Sequence, residues 1–284
     1  QRGCVIAAPQ SGSGKTTLTL GLLRVLKRLG IGVAPAKAGP DFIDPAFHSA
    51  ASGAESVNLD PWAMRPELLH TLASKPDKYL LVEAMMGLFD GAADGTGSAA
   101  DLASILDLPV VLVVDAAKQS HSIAALVSGF CNHRKDINVS GVILNKVGGP
   151  RHEGKLRAAV GAYTDIPVLG AIGRHKALDI GERHLGLTTP AETGAFGRII
   201  EEIGRIVSGS VDLDRLRKLA PGFMARYDAS KRIIDPVGDD IPGARAIHFD
   251  KQQHKNCASV LWDNLDRNPE KPAVIGPNGT VSYR

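Results

Sequence analysis

The sequence predicts an α/β fold of three layers, a mostly parallel sheet flanked by helices, on three observations. Short apolar runs alternate with amphipathic stretches at helical spacing through the first three quarters of the chain. The connections between them are short, as in repeated strand-helix units whose parallel sheet is covered on both faces. The first apolar run, Val5-Ile6-Ala7-Ala8, passes through a glycine-bearing turn straight into an amphipathic segment.

That turn, Pro9-Gln10-Ser11-Gly12-Ser13-Gly14-Lys15-Thr16-Thr17, has the form of a phosphate-binding loop and makes the fold of the P-loop NTPase type. Gly12 and Gly14, with Ser13 between them, let the backbone wrap phosphate oxygens and direct its N–H groups inward. Lys15 is expected to reach the terminal phosphates and Thr16 to place its hydroxyl on a magnesium ion. Thr17 follows in a helix expected over residues 16–29, whose positive end faces the same anion. A nucleoside triphosphate and Mg2+ are therefore the expected ligands. The loop departs from G-x-x-x-x-G-K-[ST] at Pro9, which stands where glycine is usual. Gln10 stands where the ParA- and MinD-like switch ATPases carry a lysine, which argues against a dimerising switch.

Lys+Arg 33 against Asp+Glu 30 is nearly balanced. With no long basic run, nothing points to nucleic acid. The longest apolar run, residues 109–114, is too short to span a bilayer, and no secretory signal opens the chain. Cys4, Cys131 and Cys257 lack metal-ligand spacing, so a reducing cytoplasm is the expected setting. The chain opens Gln-Arg-Gly-Cys without a methionine, as a fragment or trimmed chain does.

A second strand is expected over residues 31–36. It leads into Lys37-Ala38-Gly39-Pro40-Asp41-Phe42-Ile43-Asp44-Pro45-Ala46-Phe47-His48, a loop at the carboxyl end of a strand, where open α/β sheets bind ligands. Asp41 is read as a metal or substrate contact. Asp44 either faces substrate or caps the next helix, and Lys37 and His48 belong to the same substrate side. A short strand over 57–59 and a helix over 66–73 precede Tyr79-Leu80-Leu81-Val82-Glu83, a strand ended by an acid. Glu83 there has the position of a magnesium-holding carboxylate beside Thr16. Lys15, Asp41 and Glu83 are the catalytic candidates, and Thr16, Asp41 and Glu83 the metal candidates.

The following loop carries Gly87, Asp90 and Gly91 and stays glycine-rich to Gly97. It reads as a mobile wall around substrate, or else as a plain surface loop with Met85 and Met86 buried. A helix over 101–106 leads to a buried strand over 110–115, where Asp115 is a cap or a catalytic group. A helix over 122–132 follows, and His121 and His133 at its ends read as surface or packed residues. A strand over 139–146 brings Asn145 to its carboxyl end, to meet the adenine edge or to form a turn. Residues 153–163, 193–207 and 211–220 read as helices and 167–172 as a strand. From 221 to 250 no period survives among Pro236, Gly238, Pro242 and Gly243. The expected organisation is a synthetase domain over 1–220, a linker over 221–255 and a distinct tail over 256–284.

Together, Pro9 to Thr17, Lys37 to Pro45, Val82-Glu83, Met86-Gly87-Leu88-Phe89-Asp90-Gly91, Leu144-Asn145-Lys146-Val147 and Glu182-Arg183-His184-Leu185-Gly186-Leu187 resemble the amidoligase domain of the cobyrinic and hydrogenobyrinic acid a,c-diamide synthases, which shares the dethiobiotin-synthetase-like fold. The resemblance implies a ligase that uses ATP and Mg2+ to phosphorylate the a and c carboxylates of a corrin, after which ammonia displaces phosphate. It puts Lys37, Asp44, His48, Gly87, Asp90 and Gly91 toward the corrin. Full family members carry a glutaminase domain with a nucleophilic cysteine. None of the three cysteines has that setting, so this chain is expected to use ammonia itself or a separate glutaminase, with a homodimer as one expected assembly. The tail, from Ala258 through Trp262 to Ile275 and Val281-Ser282-Tyr283-Arg284, resembles the opening of an acyl-CoA synthetase. Competing readings are a dethiobiotin-synthetase-like ligase for a smaller acid, a nucleotide switch, and a fragment that binds nucleotide without catalysis.

Overall fold

The computed structural model describes residues 2–175, 178, 196–219, 273–275 and 281–283. The expected linker, the 182–187 motif, residues 193–195, Cys257 and most of the 256–284 tail lie outside the described residues. Seven strands make one sheet: β1 (Arg2–Ala7), β2 (Val33–Ala38), β3 (Val57–Leu59), β4 (Tyr79–Glu83), β5 (Val110–Asp115), β6 (Val139–Val147) and β7 (Val168–Gly173). Their order is β3-β2-β4-β1-β5-β6-β7, and every pairing is parallel. The helices are α1 (Lys15–Arg28), α2 (Asp44–Ser52), α3 (Pro66–Ala73), α4 (Ala99–Ile105), α5 (Ser122–Asn132), α6 (Pro150–Tyr163), α7 (Phe196–Ser210) and α8 (Leu213–Lys218). In the tail, β8 (Ala273–Ile275) pairs antiparallel with β9 (Val281–Tyr283).

The strands read as continuous apolar runs because both faces of the sheet are covered. Val5 and Ala7 of β1 join the core under α3, α4, α5 and α6, with Leu69, Leu102, Ile123 and Leu156. Cys4, Ile6 and Ala8 join the opposite core under α1, α2, α7 and α8, with Leu22, Phe47, Ile203 and Leu216. Alternate residues of one strand thus serve two cores. Helix α1 buries Leu18, Leu20, Leu22, Leu23 and Leu26, and each buried leucine contributes about 1.5–3 kcal/mol.

The connection after β1 leads to β2 on one side of the sheet, and that after β4 leads to β5 on the other. Their carboxyl ends therefore open a crevice at a topological switch point.

Several boundaries differ from expectation for identifiable reasons. Strand β2 runs on to Ala38, so Lys37 is a strand residue standing in register beside Glu83. Helix α4 begins at Ala99 because Ser98 and Asp101 form a reciprocal capping box ahead of it. Helix α6 begins at Pro150, whose fixed φ suits a first helical turn.

Candidate functional site

The phosphate loop takes its shape from its two glycines. Gly12 lies at φ 74° and Gly14 at φ 93°, in the left-handed region that costs other residues about 1–2 kcal/mol. A Cβ on Gly14 would come within 2.2 Å of the Asn145 side-chain nitrogen. That close approach is used: Asn145 Nδ2 donates to the Ser13 carbonyl at 2.9 Å, and Lys146 Nζ donates to the Gly12 carbonyl at 3.0 Å. Tying loop carbonyls to β6 suits a loop whose N–H groups serve an anion. Ser13 is buried, and its hydroxyl donates to the Gln10 carbonyl at 3.0 Å.

Lys15, buried at the start of α1, donates to the same Gln10 carbonyl at 3.3 Å. Burial and the nearby Lys37 ammonium lower its pKa, with Glu83 opposing them in part. An added phosphate would satisfy this lysine better than a long bond to a carbonyl does.

Glu83 is the junction of the site. It has no exposed surface. Its Oε1 accepts from the Thr16 hydroxyl at 2.5 Å and from Lys37 Nζ at 2.9 Å, while His48 Nε2 lies 2.7 Å from Oε2. Burial alone would raise this carboxyl, but Lys37, His48 and Thr16 outweigh it and hold the pKa well below the ordinary range. Lys37 also bonds Asp44. Burial works against its charge, but Glu83 and Asp44 hold its pKa above the usual lysine value. Asp44 is raised to about 6 by burial and by the Glu83 charge, against the pull of Lys37.

The two loop carboxylates stand differently from expectation. Asp41 Oδ1 accepts the N–H groups of Ile43 and Asp44 at 2.8 and 3.0 Å, so Asp41 shapes the turn before α2. Asp44, which could have been a cap, instead holds Lys37. Asp41 Oδ2 lies 3.7 Å from Lys37 Nζ, and Asn58 Nδ2 holds the turn through the carbonyls of Gly39 and Asp41. His48 is fully buried behind Glu83, where a substrate does not reach it.

A cavity of about 500 Å³ opens over these groups. It is lined by Gly12, Gly14, Lys15, Thr16 and Thr17, by Lys37 and Glu83, and by Asn145 from β6. Asp41, Asp44, His48, Gly87, Asp90 and Gly91 do not line it. Asp90 Oδ2 accepts the Gly87 N–H at 2.8 Å, and a Cβ on Gly87 would meet that carboxylate and the Pro9 carbonyl. A Cβ on Gly91 would strike the Thr96 carbonyl. This segment is pinned at its start by Ala84 N–H on Ile6 and Leu88 N–H on Ala8, with Leu88 in the core. Met85 is half-buried, and Met86 is 39% exposed with φ 51°, so the two methionines are not buried together.

The sequence reading left out several cavity residues: Met85 and Met86 as site residues, Lys146, Arg174, His175 and Leu178. Lys146 sits at an irregularity of β6 with φ 57°, a conformation costing about 1–3 kcal/mol. Its side chain bridges Asp115 Oδ2, at 2.7 Å, and the loop. The signal available was a basic residue just at or past a strand's carboxyl end, as with Arg174 after β7.

The donor set fits a nucleoside triphosphate: a glycine-shaped loop, a buried lysine and the N-terminus of a 14-residue helix converge on one cavity. Among the described residues no group of three or more His, Cys, Asp or Glu forms a metal cage. Thr16 and Glu83 do fit a magnesium ion that takes most of its ligands from water and phosphate. No helix among the described residues is long and apolar enough to cross a membrane.

Fold and site together define a P-loop α/β protein with a nucleotide cavity at the carboxyl edge of its sheet. The chain belongs to the CbiA family, the CobQ/CobB/MinD/ParA nucleotide binding domain, whose pattern matches residues 4–187. It is 55% identical over 256 residues to a hydrogenobyrinate a,c-diamide synthase of Brucella ovis, a match covering 87% of this chain and 58% of the relative. It is 54% identical over 253 residues to the protein of that name from a Sinorhizobium species, with the same coverage. The chain thus spans 58% of the length of these curated relatives. Among solved structures, the septum site-determining protein MinD of Pyrococcus horikoshii, complexed with Mg-ADP, aligns at 19% identity and a TM-score of 0.44, over 71% of this chain and 95% of that one.

Proposed function

We propose that this chain is the ATP- and Mg2+-dependent amidoligase part of a corrin a,c-diamide synthase, acting in cobalamin biosynthesis in the cytoplasm. The observation that supports it most is the junction at Glu83, where a buried carboxylate binds Thr16 and Lys37 at the floor of a cavity that begins at the phosphate loop. The 55% identity to a hydrogenobyrinate a,c-diamide synthase supports a corrin as the substrate class.

In this reading Lys15 and the N-terminus of α1 neutralise charge on the γ-phosphate, and the carbonyl ties from Asn145 and Lys146 keep the loop in shape for it. Thr16 and Glu83 hold Mg2+, with Asp41 nearby on its turn. Bound Mg2+ supplies further neutralisation of the phosphate oxygens. A carboxylate oxygen of the corrin attacks the γ-phosphorus, the bond from that phosphorus to the bridging oxygen breaks, and ADP leaves. Ammonia then attacks the acyl carbon; phosphate departs with the carbon–oxygen pair, and loss of a proton leaves the amide. The chain's task is to hold the carboxylate in line and keep water out. The loops of Asp41–Asp44 and Met86–Gly91 stand on the corrin side in this reading, and their exposed Phe42, Ile43 and Met86 offer apolar surface to a macrocycle. Ammonia arrives free or from a glutaminase domain or subunit.

The test is mass spectrometry of products from purified protein with ATP, Mg2+ and hydrogenobyrinic or cobyrinic acid, run with ammonia and separately with glutamine. Amidated corrin in the ammonia reaction is expected. Folded, ATP-binding protein that neither amidates nor shows corrin-stimulated ATP hydrolysis would overturn the assignment.

A further inference from the structure

We infer that His48 is a positioning residue that fixes the Glu83 carboxylate so that its Oε1 edge is offered to Thr16, the hydroxyl assigned to Mg2+. The inference rests on the nucleotide and magnesium reading of the site.

A carboxylate with no exposed surface must find all its hydrogen-bond partners within the protein. Glu83 Oε1 has Thr16 and Lys37, and Oε2 has His48 at 2.7 Å. His48 is itself 0% exposed, so its ring serves an internal partner. The ring is aimed from its other side, where Nδ1 lies 3.3 Å from the Ser56 hydroxyl. Ser56 is in turn held by its N–H on Ser49 Oγ at 3.0 Å, and Ser49 donates to the Pro45 carbonyl at 2.8 Å.

This relay begins on α2 and ends on β4, whose Phe47 and Leu81 belong to one core. Asp44 and His48 are one helical turn apart on α2 and so share a face. Asp44 takes Lys37 and His48 takes Glu83, so one helix sets both members of the buried pair. With Oε2 occupied, the carboxylate has no reason to rotate toward Lys37 with both oxygens, and Oε1 stays on Thr16. Loss of a partner that orients a metal-site carboxylate weakens metal binding about 10–100-fold.

The experiment is calorimetric titration of ATP into the chain with and without Mg2+, reading the factor by which Mg2+ tightens binding. In His48→Phe, which fills the space without an N–H, that factor is expected to fall about tenfold or more, while affinity for ATP alone stays within about threefold. In His48→Gln, whose amide can donate to Oε2, the factor is expected to stay within about threefold of the unchanged chain. A His48→Phe protein that keeps the full Mg2+ effect, or a His48→Gln protein that loses as much as His48→Phe, overturns the inference. Should circular dichroism show His48→Phe unfolded, His48→Asn, too short to reach Oε2, is judged by the same criteria. An unchanged chain in which Mg2+ does not tighten ATP binding refutes the magnesium site itself, an outcome distinct from insensitive His48 variants.

Discussion

Gly14→Ala tests whether the phosphate loop is held by its contact with β6. Gly14 has φ 93°, and an alanine there pays about 1–2 kcal/mol in backbone strain. The new Cβ would also sit 2.2 Å from Asn145 Nδ2. Asn145, only 9% exposed, would have to give up its hydrogen bond to the Ser13 carbonyl, which costs about 0.5–1.5 kcal/mol. The expected loss of stability is thus about 1.5–3.5 kcal/mol. Urea denaturation measures it, and a double-mutant cycle divides it. In an Asn145→Ala background the steric part is gone, and Gly14→Ala should cost only the backbone share of about 1–2 kcal/mol. Equal costs in the two backgrounds, or a cost below about 0.5 kcal/mol in the first, would refute the contact as the second reason for glycine at this position.

Lys15→Met should leave the fold intact by circular dichroism and lower corrin-stimulated ATP hydrolysis by at least about a hundredfold, the scale of a lost transition-state charge partner; activity above a tenth of normal would remove Lys15 from the catalytic set. Glu83→Gln removes the more buried of the two carboxylates that hold Lys37 and leaves Asp44 as its remaining counter-charge. The expected cost is about 3 kcal/mol, the low end for a broken buried pair, together with a raised Mg2+ requirement, and wild-type values in both urea and Mg2+ titrations would contradict the junction. Asp101 is buried enough to raise its pKa, but Arg134 and the Ser98 cap bonds outweigh this and hold it low. On acidification the unfolded chain therefore takes up this proton first. The contribution is full above the ordinary carboxylate value and lost as pH falls through the lowered folded one. Asp101→Ala should cost about 1 kcal/mol at pH 7 through the lost bonds from the Ser98 N–H and Arg134 and progressively less below pH 4. A difference that grows on acidification would reverse the sign and refute the argument.

Most of the fold was legible in the chain because a buried parallel sheet leaves strong local marks. The strands at 79–83 and 110–115 are apolar runs bounded by polar turns, and Ser122–Asn132 and Pro66–Ala73 stand where their periodicity put them. The glycine loop carries its own chemistry, since only residues without a Cβ accept φ values like those of Gly12 and Gly14. Glu83 was legible as an acid ending a strand.

Partner choice was not legible. Asp41 and Asp44 are two carboxylates in one loop, and no periodicity tells which will cap a turn and which will hold a lysine. That was decided when β2 extended to Ala38 and brought Lys37 beside Glu83 in register. His48 looked like a substrate contact because it lies near those acids in sequence, but α2 turns it inward to Glu83. Lys146 and Arg174 enter the cavity because β6 pairs with β5 and β7 with β6, so their carboxyl ends continue the edge where the phosphate loop lies.

The sequence by itself determined the class of fold, the phosphate loop and the acid that faces it, because each depends on local spacing and on backbone conformations open to few residue types. Only the tertiary structure decided which charges meet. Pairing within a buried cluster depends on strand register and helix rotation, which are set by packing across the whole sheet rather than by any neighbour in the chain.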